Sequence, residues 1–170
     1  GAVQDALRAL EEWVCVLLER ALSAGPVYVI TNAETGWVEM SAEKFIPSVL
    51  PLLKKVRVLS ARSTFESICP CPTEWKVHAF AQELDTHFEG VDPEAPKTVV
   101  SFGDSVHERL AILRVTADMP STRTKSIKFV EHPSAEQLRR QVELVHSCFD
   151  DILSHPGDLD LMLTIHLLSQ

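Results

Sequence analysis

Asp104 and Glu108 are the two residues whose type and spacing first point to chemistry. They sit in Val99-Val100-Ser101-Phe102-Gly103-Asp104-Ser105-Val106-His107-Glu108-Arg109. The stretch opens apolar and β-branched, as a buried parallel strand does. It breaks at Gly103-Asp104, and Ser105 then stands where a serine caps a helix running from His107 to Val115. Asp104 is therefore expected just past the carboxyl end of a strand, with Glu108 one helical turn further on. Ligands gather at that edge of an open α/β sheet. A Mg2+ ion takes one or two hard carboxylate oxygens and keeps waters, so the pair matches its needs. The competing reading makes Asp104 a turn residue that caps the helix and Glu108 a solvated surface acid.

The elements that must position these acids follow from periodicity. Val3 to Ala21 is amphipathic, with Ala6, Leu7, Leu10, Val14, Leu17, Leu18 and Ala21 at three- and four-residue steps, and Gly25-Pro26 ends it. Val27 to Thr31 is a short apolar strand ending in Thr31-Asn32. A helical stretch from Trp37 to Lys55 must bend or divide at Pro47 and Pro51. Val56 to Ser60 is the next strand, and Ala61 to Pro72 reads as a polar loop. Thr73 is the expected cap of a helix through Lys76 to Leu84. Thr124 to Val130 reads as a strand, Pro133-Ser134 opens one long helix stopped at His155-Pro156-Gly157, and the apolar tail Leu159–Leu168 reads as a last strand. Alternating strands and helices give an α/β fold with a mostly parallel sheet, three layers in Rossmann-like fashion, and no large cap domain. Right-handed crossovers then bring Thr31-Asn32, Ser60-Ala61-Arg62, Asp104 and the segment after Phe129 to one rim.

Composition bounds the function. The 170 residues are expected to form a single domain, 45% hydrophobic and 24% charged. A net charge of −8 argues against nucleic acid as a partner. No apolar run approaches the roughly 18 residues of a membrane span, so the chain is read as not transmembrane. No basic start with an apolar core marks a secretory leader, and an intracellular, cytoplasmic setting with reduced thiols is the expectation. Cys15, Cys69, Cys71 and Cys148 lack zinc-site spacing. Cys69-Pro70-Cys71 leaves a redox or metal reading open beside that of two unrelated loop cysteines.

Thr31 at a strand end, Lys76 near a helix start, and Gly103-Asp104 followed by Glu108 occur in an order that resembles the second, third and fourth motifs of the haloacid dehalogenase-like hydrolase superfamily. The surrounding text from Val29 to Glu39, Val58 to Thr64, Glu74 to Lys76 and Ser101 to Arg109 is similar to an uncharacterised protist and algal branch. The resemblance implies a phosphatase fold working through an aspartyl phosphate. It implies that Thr31 offers its hydroxyl and Asn32 its amide to a phosphoryl oxygen. Lys76 would neutralise the nucleophile and the transferring group, while Asp104 and Glu108 would hold Mg2+.

The first motif of that superfamily, an apolar strand ending in Asp-x-Asp, has no counterpart here. Asp5 lies inside the first helix, and Asp158-Leu159-Asp160 precedes its apolar run. The missing strand belongs in the centre of the sheet, between the strands ending at Thr31 and Asp104. A gap there exposes two inner edges. Its filling is expected from the tail Leu159–Leu168, from another chain, from residues preceding the sequence, or by direct closure. The function expected is therefore a domain without catalytic activity of its own, serving as a binding or structural subunit in a protein assembly. The alternative is a fragment of an active Mg2+-dependent phosphatase whose nucleophile strand lies upstream, with an open site suited to a bulky phosphorylated ligand.

Overall fold

A computed structural model describes residues 1–166 of the chain. In chain order it comprises α1 (Ala2–Ala24), β1 (Tyr28–Thr31), α2 (Trp37–Phe45), a 3-10 turn (Pro47–Val49), α3 (Leu50–Leu53), β2 (Arg57–Ser60), α4 (Ala61–Phe65) and α5 (Pro72–His87). The second half contains β3 (Lys97–Gly103), α6 (Val106–Thr116), β4 (Thr122–Lys128), α7 (Ala135–Ser147), α8 (Phe149–Ser154) and β5 (Leu159–Met162). Every strand pairing among the described residues is parallel, so the chain is a mixed α/β protein, as its alternating pattern predicts. No helix of the described residues is long and apolar enough to cross a membrane.

The strands do not form one sheet. β1 pairs with β2 in one small sheet, while β3, β4 and β5 form another in that order. The expectation of a single parallel sheet is corrected accordingly. The tail supplies β5, but at the outer edge beside β4, so it does not fill the centre between β1 and β3. Leu167 and Leu168, the end of the strand read from sequence, lie outside the described residues.

Three smaller readings change too. Ser60 accepts a hydrogen bond from Ser63 N and starts α4 where a loop is expected. The N-cap of α5 is Cys71, with Pro72 in the first turn, rather than Thr73. The long last helix breaks at Cys148 into α7 and α8.

Three apolar clusters hold the elements. Phe80, Ala111 and Ile112 pack α5 on α6 and take in Ile30 and Val99. Leu10 of α1 joins Ile127, Phe129, Val142, Val145 and Ile152, with Val100 and Phe102 against them. Val14 and Leu18, also of α1, meet Ala42, Val49, Leu53 and Val58. One amphipathic helix thus leans on both sheets from one face, while α5 and α6 gather Ile30 and Val99 on the other. Lys125 is fully buried in the middle of β4 and donates to the carbonyls of His155 and Gly157, closing the end of α8 before β5.

Candidate functional site

Lys76 is the centre of the rim. It lies on the second turn of α5, is only 4% exposed, and extends its ammonium toward β1 and α6. Nζ donates to Ile30 O at 2.7 Å and to Glu108 Oε1 at 2.5 Å. A lysine buried this deeply needs both partners to keep its charge. The neighbouring Glu108 Oε2 accepts from Ser105 N at 3.1 Å and Ser105 Oγ at 2.6 Å. These bonds are part of a full capping box, since the Ser105-x-x-Glu108 spacing puts the glutamate at the third position of α6. Burial raises the carboxyl's pKa, but the Lys76 charge and the hydrogen bonds from Lys76 and Ser105 outweigh it. The net effect holds Glu108 below the ordinary glutamate range.

Gly103 makes this closeness feasible. A Cβ built there falls 2.6 Å from Cγ, 2.8 Å from Cβ and 2.8 Å from Cδ of Glu108. Gly103→Ala therefore forces the Glu108 side chain off Lys76 or shifts the start of α6. The expected cost is about 1–3 kcal/mol, the range for overpacking, read as a lowered urea midpoint. A Gly103→Ala protein with unchanged stability would mean that Glu108 moves freely.

The structure brings together only some of the residues singled out in the sequence. Lys76 and Glu108 meet directly, against the carbonyl that precedes Thr31. Asn32 reaches the start of α5, its Nδ2 donating to Pro72 O at 3.2 Å, and its Oδ1 is buried without a hydrogen-bond partner among the described residues. Thr31 Oγ1 accepts from Ala33 N at 3.0 Å, closing a local turn, and makes no hydrogen bond to Lys76. It lines a small cleft with Glu34, Val38, Val58 and Ser60. Asp104 is exposed and, among the described residues, makes no side-chain hydrogen bond or ion pair.

As a Mg2+ site the donor set is incomplete. Asp104 offers a free carboxylate, but both oxygens of Glu108 are engaged, and an ammonium 2.5 Å away opposes a divalent cation beside it. Among the described residues no group of three or more His, Cys, Asp or Glu side chains is placed to hold a metal ion.

One contact at the rim was not anticipated from sequence. Thr73 Oγ1 lies 2.8 Å from His107 Nδ1, joining the first turns of α5 and α6. Thr73 and His107 each follow a helix start by one or two residues, and that shared position is the signal that could have paired them. Cys69, whose carbonyl accepts from Trp75 Nε1 at 2.6 Å, and Cys71, the α5 N-cap, are both free thiols.

Comparison of the chain with protein-family models, with curated proteins and with solved structures found no match.

Proposed function

We propose that this chain is a haloacid dehalogenase-like domain that does not catalyse by itself and serves as a binding or structural subunit of a larger assembly. The observation that carries this reading is the commitment of Lys76. In the resemblance it neutralises a phosphoryl group under attack; here its ammonium is bonded to Ile30 O and Glu108 Oε1 and neutralised by the latter. Among the described residues no aspartate lies at the end of a strand between β1 and β3, and covalent phosphoryl transfer needs such a nucleophile. Support for the superfamily rests on the order Thr31, Lys76, Asp104 and Glu108, and on the meeting of Lys76 and Glu108 where β1 and β3 both end.

The second reading, a fragment of a Mg2+-dependent phosphatase with its nucleophile strand upstream, is favoured by a specific feature. β1 and β3 are not paired with each other, although both contribute to the cluster around Phe80.

Incubation of the pure chain with Mg2+ and a panel of phosphate monoesters tests the proposal. The expected result is no turnover above that of Asp104→Asn. Turnover that Asp104→Asn abolishes would overturn it.

A further inference from the structure

Strand β5 leaves a hydrogen-bonding edge open at one end of its sheet. Among the described residues it is the last strand after β4. Leu163 N donates to Lys128 O, so Leu159, Leu161 and Leu163 turn their backbone groups toward β4. Asp160 and Met162 alternate with them and turn theirs outward, where no strand meets them among the described residues.

Native edges of this kind are blunted by lysine, proline, a bulge or an unpaired charge. β5 has no such guard. Its one charged residue, Asp160, is already neutralised by Arg109 of α6, whose Nε and Nη2 donate to the two carboxylate oxygens at 2.9 and 2.5 Å. Leu161 and Met162 are the only large apolar strand residues left exposed among the described residues, at 43% and 57%. β2, at the outer end of the other sheet, exposes none. Val106 and Leu110 flank Arg109 on α6 and are exposed as well.

The alternation continues past the end of β5. Thr164 and His166 are exposed, while Leu163 and Ile165 are half-buried. Thr164 Oγ1 lies 3.4 Å from His166 Nε2, so these two side chains share a side, as extended backbone requires. The row Asp160, Met162, Thr164 and His166 therefore alternates with the apolar row Leu159, Leu161, Leu163 and Ile165.

Read backwards, this segment complements itself. An antiparallel ladder across a two-fold axis must pair outward-facing residues with one another. With Met162 opposite Met162 of a second copy, Asp160 meets Thr164 and Asp158 meets His166, so each acid faces a hydroxyl or an imidazole. On the other face Leu161 meets Leu163 and Leu159 meets Ile165. Centring the pair on Asp160 instead sets like charges opposite each other. Centring it on Leu161 sets Pro156, which has no N–H, opposite His166. A second copy is the occupant that this complementarity selects.

We propose that β5 and the residues through His166 pair antiparallel with the same segment of a second copy. The product is a two-fold dimer whose sheet runs β3-β4-β5-β5-β4-β3 across the axis, an addition of strand to edge. The inference needs neither the family resemblance nor any statement about catalysis, so it stands or fails separately from the proposed function.

Sedimentation equilibrium tests it at about 0.15 M salt, where the charge of −8 on each copy is screened. The mass is expected to move from one chain to two between about 1 µM and 1 mM, the range of a small interface. Over that range the amides of Asp160, Met162 and Thr164 slow by at least about tenfold more than that of Leu161, which faces β4. Met162→Pro removes an outward N–H and spares the bonds to β4, so it is expected to be monomeric. Because Met162 meets itself on the axis, Met162→Lys and Met162→Glu are each expected to be monomeric, and a mixture of the two to pair again. Pairing in the mixture also shows that both variants are folded. A parent chain that stays monomeric to about 1 mM would overturn the proposal. So would a dimer that survives both Met162→Pro and Met162→Lys, a mixture that does not pair, or a dimer in which Asp160 and Met162 exchange no more slowly.

Discussion

Replacing Lys76 with Met is expected to lower stability by about 3 kcal/mol, with a fall in Tm of roughly 6–12 °C for a protein of this size. Met keeps the volume of the side chain but removes the charge. Glu108, whose side chain is 15% exposed, is left with Ser105 as its sole donor group and without its counter-ion. Ile30 O loses its donor as well. Breaking a buried pair from one side costs about 3–5 kcal/mol because the remaining charge is uncompensated, and the surviving Ser105 bonds place this case at the lower end. The double variant Lys76→Met/Glu108→Gln removes both charges and is expected to recover half or more of the loss. Chemical denaturation of the four proteins in the cycle measures both values. Additive losses would show that the pair does not act as a unit.

Lys125→Met is expected to cost about 2 kcal/mol. Its ammonium serves the carbonyls of His155 and Gly157, and each buried group left unpartnered costs about 1–3 kcal/mol. Relief from burying a charge offsets part of that. β5 should loosen first, because these carbonyls fix the turn that feeds it. A pH effect accompanies this. Burial pushes the Lys125 ammonium below its ordinary value of 10.5. Between that lowered value and 10.5 the unfolded chain binds more protons than the folded one, so this residue's contribution makes stability rise with pH. Urea midpoints across that window should climb more steeply for the parent than for Lys125→Met. Equal slopes would contradict the assignment.

Lys125 also shows where sequence reading ends. Lys125-Ser126-Ile127-Lys128 has no apolar alternation, yet its first three residues are among the most buried in the chain, because β4 is flanked by strands on both sides and covered by helices. Burial of a lysine depends on carbonyls 30 and 32 residues away, which local pattern does not contain. The α6 cap was legible because its signal is local, a serine with a glutamate three residues on. The meeting of Lys76 with Glu108 was legible as a shared rim, since strand ends converge in parallel α/β folds, but its form was not. Sequence placed Glu108 beside a metal; the structure places it on an ammonium. The division into two sheets was hidden for a similar reason, as strand propensity does not say which edges pair. The break at Cys148 left the apolar spacing of Val142, Val145, Phe149 and Ile152 intact, so periodicity continued across it.

The central claim is that Lys76 is fixed in a built joint, donating at once to β1 and to α6, and not held ready in an open site. Nitrogen-15 NMR of the lysine ammonium groups tests this most directly, with Lys76→Met assigning the signal. The account predicts a Lys76 ammonium resonance protected from solvent exchange and lost to exchange in Glu108→Gln. A Lys76 signal that exchanges as fast as the exposed lysines Lys54 and Lys55, with or without Glu108, would contradict it.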